Sequence, residues 1–153
     1  MDYDRFVGLV QSRAHLASGG DAVAAIRATL TTLAERIDPH EGHHLAAQLP
    51  REIGLFLEGN MSETGERFSF GEFCKRVSDR ERVDQPQAVH HARCVIETLE
   101  EAASAGEIRD VRSQLSPEFQ PLFESGSQGR LRPKRKPPPG ERATGEATQG
   151  EIL

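Results

Sequence analysis

The residues best suited to chemistry are histidines. His40, His43 and His44 lie close together, and His90 and His91 are adjacent. His40 and His44, four positions apart, share a face if that stretch is helical, a spacing that zinc sites use. No cysteine or second histidine pair is tied to them by a motif. Cys74 and Cys94 fall at apolar helical positions and read as reduced, buried small hydrophobes rather than a disulfide or a ligand pair. For nucleophilic catalysis the chain offers no Gly-x-Ser-x-Gly, no cysteine beside a histidine on a loop, and no phosphate-binding glycine motif. Glu100 and Glu101 are neighbours on a helix, so they face different directions and read as a solvated face. The sequence therefore assigns no catalytic residue, no metal ligand and no cofactor, and the chain is expected not to be an enzyme.

Charges that recur are more informative. The stretch Leu45–Ile53 resembles Val111–Phe119: each ends a helical turn on Gln-Leu, breaks at a proline, and restarts on a Glu followed by a large apolar residue. The likeness extends to both sides, at an offset of 67 residues before position 20 and 66 after it. Identical pairs include Phe6/Phe73, Val10/Val77, Arg13/Arg80, Arg27/Arg93, Leu33/Leu99, Glu41/Glu107, Gln48/Gln114 and Glu52/Glu118. A basic or acidic residue kept in both copies predicts a structural contact. We expect an ion pair or a carbonyl contact that fixes helix packing, with Arg27 to Glu52 and Arg93 to Glu118 as the pairs, and a duplicated anion pocket as the second reading. Gln48 and Gln114 are expected to bond backbone groups exposed at the turn. The positions matching His40, His43 and His44 are Gly106, Arg109 and Asp110, so the repeat does not require imidazole there.

These residues need helices to hold them. Tyr3, Phe6, Val7 and Val10 make the apolar face of a first helix that Asp2 caps. Ser18 and Asp21 start a second, whose stripe runs Val23, Ile26, Leu30, Leu33, Ile37. Asp38, Pro39 and Glu41 form a capping box for a short third helix, with the glutamate reaching back to the cap. Pro50 opens a fourth, burying Ile53, Phe56 and Leu57 and ending at Gly59-Asn60. Residues 59–67 lack periodicity and read as a polar linker. The pattern then returns: Ser69 with Glu72, then Phe70, Phe73, Cys74 and Val77; Asp84 and Pro86, then Val89, Ala92, Ile96, Leu99 and Ala103; Ser104 with Glu107; and Ser116-Pro117 with Phe119, Leu122 and Phe123.

The prediction is an all-α protein: two four-helix units, residues 1–60 and 61–125, packed as one domain about a pseudo-twofold axis. A unit of this size is marginal alone, because so small a body buries little apolar surface; the alternative, two separate units on a string, is also permitted by the linker. Residues 126–153 hold four of the nine prolines and five glycines with almost no large apolar side chain, which predicts a disordered tail. The tail carries six Lys+Arg against three Asp+Glu, leaving thirteen and twenty-one in the body. An acidic body does not suit duplex DNA. Within the tail, Arg130, Arg132, Lys134, Arg135 and Lys136 form a basic cluster before Pro137-Pro138-Pro139, the place where nucleic acid or anionic lipid would bind. No apolar run is long enough to span a membrane, and the acidic start is unlike a signal peptide. A cytoplasmic monomer or weak homo-oligomer is expected.

The start Tyr3-Asp4-Arg5-Phe6, the helix Ile26-Arg27-Ala28-Thr29-Leu30-Thr31-Thr32-Leu33-Ala34-Glu35-Arg36, the turn Gln48-Leu49-Pro50 and the restart Arg67-Phe68-Ser69-Phe70-Gly71-Glu72-Phe73 resemble a bacterial and archaeal family, domain of unknown function 2267. The resemblance covers residues 1–125. It implies an all-helical fold, and brings no catalytic residues. One departure is Gly59-Asn60-Met61-Ser62, where family members often carry an aromatic residue. The expected role is binding a protein partner in grooves between the two units. The alternatives are nucleic-acid or anionic-surface binding through the tail, and small-ligand or metal binding through the histidine clusters.

Overall fold

The computed structural model describes residues 1–124, all of whose regular elements are helices. In chain order these are α1 (Tyr3–Arg13), α2 (Gly19–Arg36), α3 (Pro39–Ala47), α4 (Arg51–Glu58), α5 (Phe70–Glu81), α6 (Gln85–Ala102), α7 (Ala105–Ser113) and a 3-10 helix (Pro117–Phe123). None is long and apolar enough to cross a membrane. The basic cluster Arg130, Arg132, Lys134, Arg135 and Lys136 lies outside the described residues.

Local side-chain chemistry starts the helices where the sequence places them. Asp2, Ser18, Asp38, Ser69, Asp84 and Ser104 each accept a hydrogen bond from a backbone N–H in the first turn that follows. Pro39 and Pro86 sit in first turns, where a missing N–H costs nothing. The last element departs from the expected pattern. Pro121 lies inside it and has no N–H to give to the carbonyl of Pro117, so the segment tightens into a 3-10 helix. It still buries Phe119 and Leu122, while Phe123 is half-buried.

α2 and α6 pack together at the centre of the molecule. α1 packs on both of them, and so does α5; α4 closes over α2, and the 3-10 helix closes over α6. α2 is buried nearly all round. Beside the expected stripe, where Val23 is only half-buried, Ala22, Ala25, Ala28, Thr29, Thr32 and Ala34 are buried too. These small residues let helices approach from a second side. Cys74 and Cys94 are buried and not joined by a disulfide; burial pushes the Cys74 thiol pKa up.

The linker is tied down. Glu66 N–H donates to the Glu35 carbonyl at 2.8 Å, and the Ser62 hydroxyl donates to the same oxygen. Gly65 adopts φ +81, with its Cα hydrogen facing the Ile37 carbonyl where a Cβ would stand 3.1 Å away. Met61 lies over Gly42, so the methionine side chain covers this face of α3.

Gly54 marks the closest helix approach: a Cβ there would sit 2.9 Å from the backbone oxygen of Ala46, where α4 crosses α3. Gly54→Ala gains helix propensity but forces backbone apart, so a net loss of about 1–2 kcal/mol is expected in chemical denaturation. A variant as stable as wild type would show that α3 and α4 separate without cost.

Candidate functional site

Two arginines join the halves of the molecule by the same route. Arg80, in α5, donates to the Thr32 hydroxyl at 2.9 Å and to Glu35 at 2.8 Å, both in α2. Arg13, in α1, donates to the Thr98 hydroxyl at 3.1 Å and to Glu101, both in α6. Each threonine passes its own proton to a carbonyl one turn back, that of Ala28 or Cys94. Arg76 adds a second guanidinium to Glu35 at 3.0 Å and lies 4.0 Å over the Phe68 ring. Burial alone pushes the Glu35 carboxyl up, but Arg80 and Arg76 together overcome it and hold the pKa below the usual carboxylate range.

The expected pairs Arg27–Glu52 and Arg93–Glu118 are not what forms. Arg27 lies 5.6 Å over the ring of Phe56, one turn beyond Glu52, while Glu52 itself is exposed. Arg93 faces Glu124 at 3.7 Å. Glu118 accepts from the Ser116 hydroxyl at 3.1 Å. Glu52 and Phe56 are one turn apart on α4; Phe56 reaches the Arg27 guanidinium, while Glu52 stays exposed in the first turn. A cation–π contact at an exposed position contributes about 0.5–1 kcal/mol; Arg27 also lines, with Arg80, a cleft of about 370 Å³.

The two glutamines make the most informative contacts. Gln114 Oε1 accepts from the backbone N–H of Asp38 at 2.7 Å, and Gln48 Oε1 accepts from the backbone N–H of Ser104 at 2.7 Å. Gln114 therefore caps the start of α3, and Gln48 the start of α7. The turn-bonding role expected of them is right in kind, but the amide comes from across the molecule. This corrects the capping boxes. Glu41 and Glu107 are not used to reach back to the cap amides, because those amides are already taken.

The two glutamates released in this way meet where α3 packs on α7. Glu41 is 9% exposed and Glu107 is 6% exposed. Their carboxyls are within hydrogen-bonding reach of each other. One oxygen of each, Glu41 Oε2 and Glu107 Oε2, is buried with no hydrogen-bond partner. Burial first, then the Glu41 carboxyl and the charge of Asp110, push Glu107 up to about 8. One nitrogen of His44 and one oxygen of each glutamate lie within 4.8 Å of one another. The His40 ring stands beside that of His44, with centroids 4.4 Å apart. The side-chain amide of Gln114 donates to Glu41 Oε1 at 3.5 Å, the outer limit of a hydrogen bond. His43 points elsewhere, to Glu58 at 2.6 Å. In the other cluster, the buried His91 is hydrogen-bonded to Glu81.

Beside the carboxyl pair opens a cleft of about 630 Å³, lined by Arg36, Asp38, His40, Glu41, Arg67 and Gln114 among others. Arg36 forms its floor. Its guanidinium donates to the carbonyls of Phe68 at 2.9 Å and Gln114 at 3.1 Å and lies 5.1 Å over Phe119. Burial, and then the charge of Arg67, lower the Arg36 pKa from its ordinary value. The cleft has cationic and anionic walls, and its lining is more polar than apolar.

The profile of an uncharacterized conserved protein family, DUF2267, matches residues 3–122. The chain belongs to that family. The matched span begins with α1 and ends inside the 3-10 helix, so the cleft and the carboxyl pair both lie within the DUF2267 region. No curated protein matches the chain.

Of the residues that matter here, Arg13, Arg80, Gln48 and Gln114 are visible as repeats in the sequence. Arg36 and Arg67 are not: position 102, which matches Arg36, is alanine, and the offset leaves Arg67 no counterpart. Glu41 and Glu107 do repeat, and that signal was available, but helix capping explains them locally and hides their meeting.

Proposed function

We propose that this DUF2267 chain is a duplicated four-helix unit, folded on itself about a pseudo-twofold axis, and that it acts as a non-enzymatic binding module for a protein partner. The duplication is supported by the paired contacts: Arg13 to Thr98 and Glu101 against Arg80 to Thr32 and Glu35, and Gln48 to Ser104 against Gln114 to Asp38. The two buried thiols, unbridged, support a reducing compartment such as the cytoplasm.

The observation that carries the binding reading is the cleft between the halves. Its walls come from the α2–α3 junction on one side and the α7 end on the other, with Thr64 and Arg67 of the linker across its mouth. Walls that carry both charge signs suit an extended polar segment, which offers backbone donors and acceptors along its length. An amphipathic helix, which needs a continuous apolar groove, fits a lining that is mostly polar less well.

A photoreactive residue in place of Ser113, at the cleft, is expected to cross-link one discrete protein in cells. The same residue in place of Gln87, exposed at the far end of α6, is expected to give none. Adding Arg67→Glu should abolish the Ser113 product. Cross-linking equal at both positions, or unaffected by Arg67→Glu, would remove the cleft as the binding surface.

A further inference from the structure

We propose that Glu41, His44 and Glu107 form a mononuclear site for a divalent transition-metal ion at the contact between α3 and α7. The site stands apart from the peptide-binding reading and does not depend on it.

Three observations carry the proposal. The first is the donor set. Two carboxylate oxygens and an imidazole nitrogen lie within 4.8 Å of one another. A cation placed among them has each donor within about 3 Å, and closing to the 2.0–2.2 Å of zinc needs shifts of less than an ångström from each side chain. His44 is exposed, with its ring beside that of His40.

The second is the state of the two glutamates. Each has an oxygen that is buried and has no hydrogen-bond partner, although both residues are at least nine-tenths buried. A buried carboxylate left so is costly unless something of opposite charge meets it. No arginine or lysine is paired with either among the described residues; Arg36, which lines the same cleft as Glu41, donates to two carbonyls instead. A divalent cation supplies the charge that the protein leaves out.

The third is the surrounding support. Gln114, itself fixed by its bond to the Asp38 amide, reaches Glu41 and orients its carboxylate. Asp110, which matches His44 in the repeat, adds negative charge beside Glu107. The spacing Glu-x-x-His in α3 is thus matched by Glu-x-x-Asp in α7, and both motifs present ligand-type residues toward the α3–α7 contact. The imidazole and the small number of donors favour zinc, cobalt or nickel over calcium, which takes six to eight oxygens.

The test is isothermal titration of the untagged, chelator-stripped full chain with zinc chloride, read together with thermal melting. One zinc ion per chain, bound with micromolar or tighter affinity and raising the melting temperature, is expected. Glu107→Gln and His44→Ala should each weaken binding at least tenfold. His43→Ala should leave it unchanged, since His43 is turned to Glu58. Binding lost in His44→Ala but kept in Glu107→Gln would overturn the proposal in favour of a surface His40–His44 pair. Binding that His43→Ala weakens equally, or no saturable binding at all, would overturn it as well. Glu107→Gln is a near-isostere that removes buried charge, so a folding defect would not be confused with loss of the ligand.

Discussion

Phe119→Ala is expected to lower the unfolding free energy by about 3–5 kcal/mol, the range for truncating a fully buried phenylalanine. Phe119 is 1% exposed and holds the 3-10 helix to the rest of the molecule. Its ring meets Phe70 edge-on at 5.3 Å and Phe73 at 5.7 Å, and the Arg36 guanidinium lies over it at 5.1 Å. Removing the ring opens a cavity and also uncovers Arg36, whose two carbonyl contacts form the floor of the cleft. A short 3-10 helix has weak hydrogen bonds of its own and depends on such anchors. Phe123, half-buried at the edge of the core with Arg112 over its ring at 4.7 Å, serves as the comparison: Phe123→Ala should cost about 1 kcal/mol. Urea denaturation of both variants measures this. Equal losses would mean that the 3-10 helix is not held chiefly through Phe119.

The second large effect is a gain. Glu107→Gln, in the presence of chelator, is expected to be more stable than wild type by about 1–3 kcal/mol at pH 8.5. In the folded chain Glu107 is pushed up to about 8 by burial, by the facing Glu41 and by Asp110. Unfolded, it returns to its ordinary value of 4.5. Between those two values the folded chain holds a proton that the unfolded chain has released. Stability therefore falls as pH rises through this window and levels off above it. Glutamine cannot ionise, so this slope is absent from the variant, and the gap between the two proteins should widen from pH 5 to pH 8.5. The groups that face Glu107 are Glu41, His44 and Asp110, with Gln114 bonded to Glu41. Thermal melts across the range read the effect, roughly 3–10 °C at the alkaline end for a chain of this size. A gap that stays constant with pH would show that the two carboxyls do not share this burial. Added zinc should reverse the order, because only wild type keeps the ligand.

Most of the helical pattern is legible without coordinates. Asp2, Ser18, Asp38, Ser69, Asp84 and Ser104 announce helix starts because a short polar side chain and a backbone amide a few residues on are enough to make a cap. The apolar stripes are legible because their large side chains must be buried wherever they go. The burial of α2 on a second side is harder to see, since alanine and threonine carry little hydrophobic signal. Pro121 was visible, but its consequence, a 3-10 turn in place of an α-helix, depends on the ends being held by Phe119 and Leu122.

The sequence by itself determined the helices, their caps, the family, and that Arg13, Arg80, Gln48 and Gln114 matter twice. Only the tertiary structure decided what each of these touches. A side chain's local options are few and can be written down from spacing, so Glu41 and Glu107 look like capping acids. The glutamines of the opposite half occupy the cap amides first, and the two glutamates are left to face each other. No pattern within either half records that competition, because its outcome depends on groups brought together only when α3 and α7 dock.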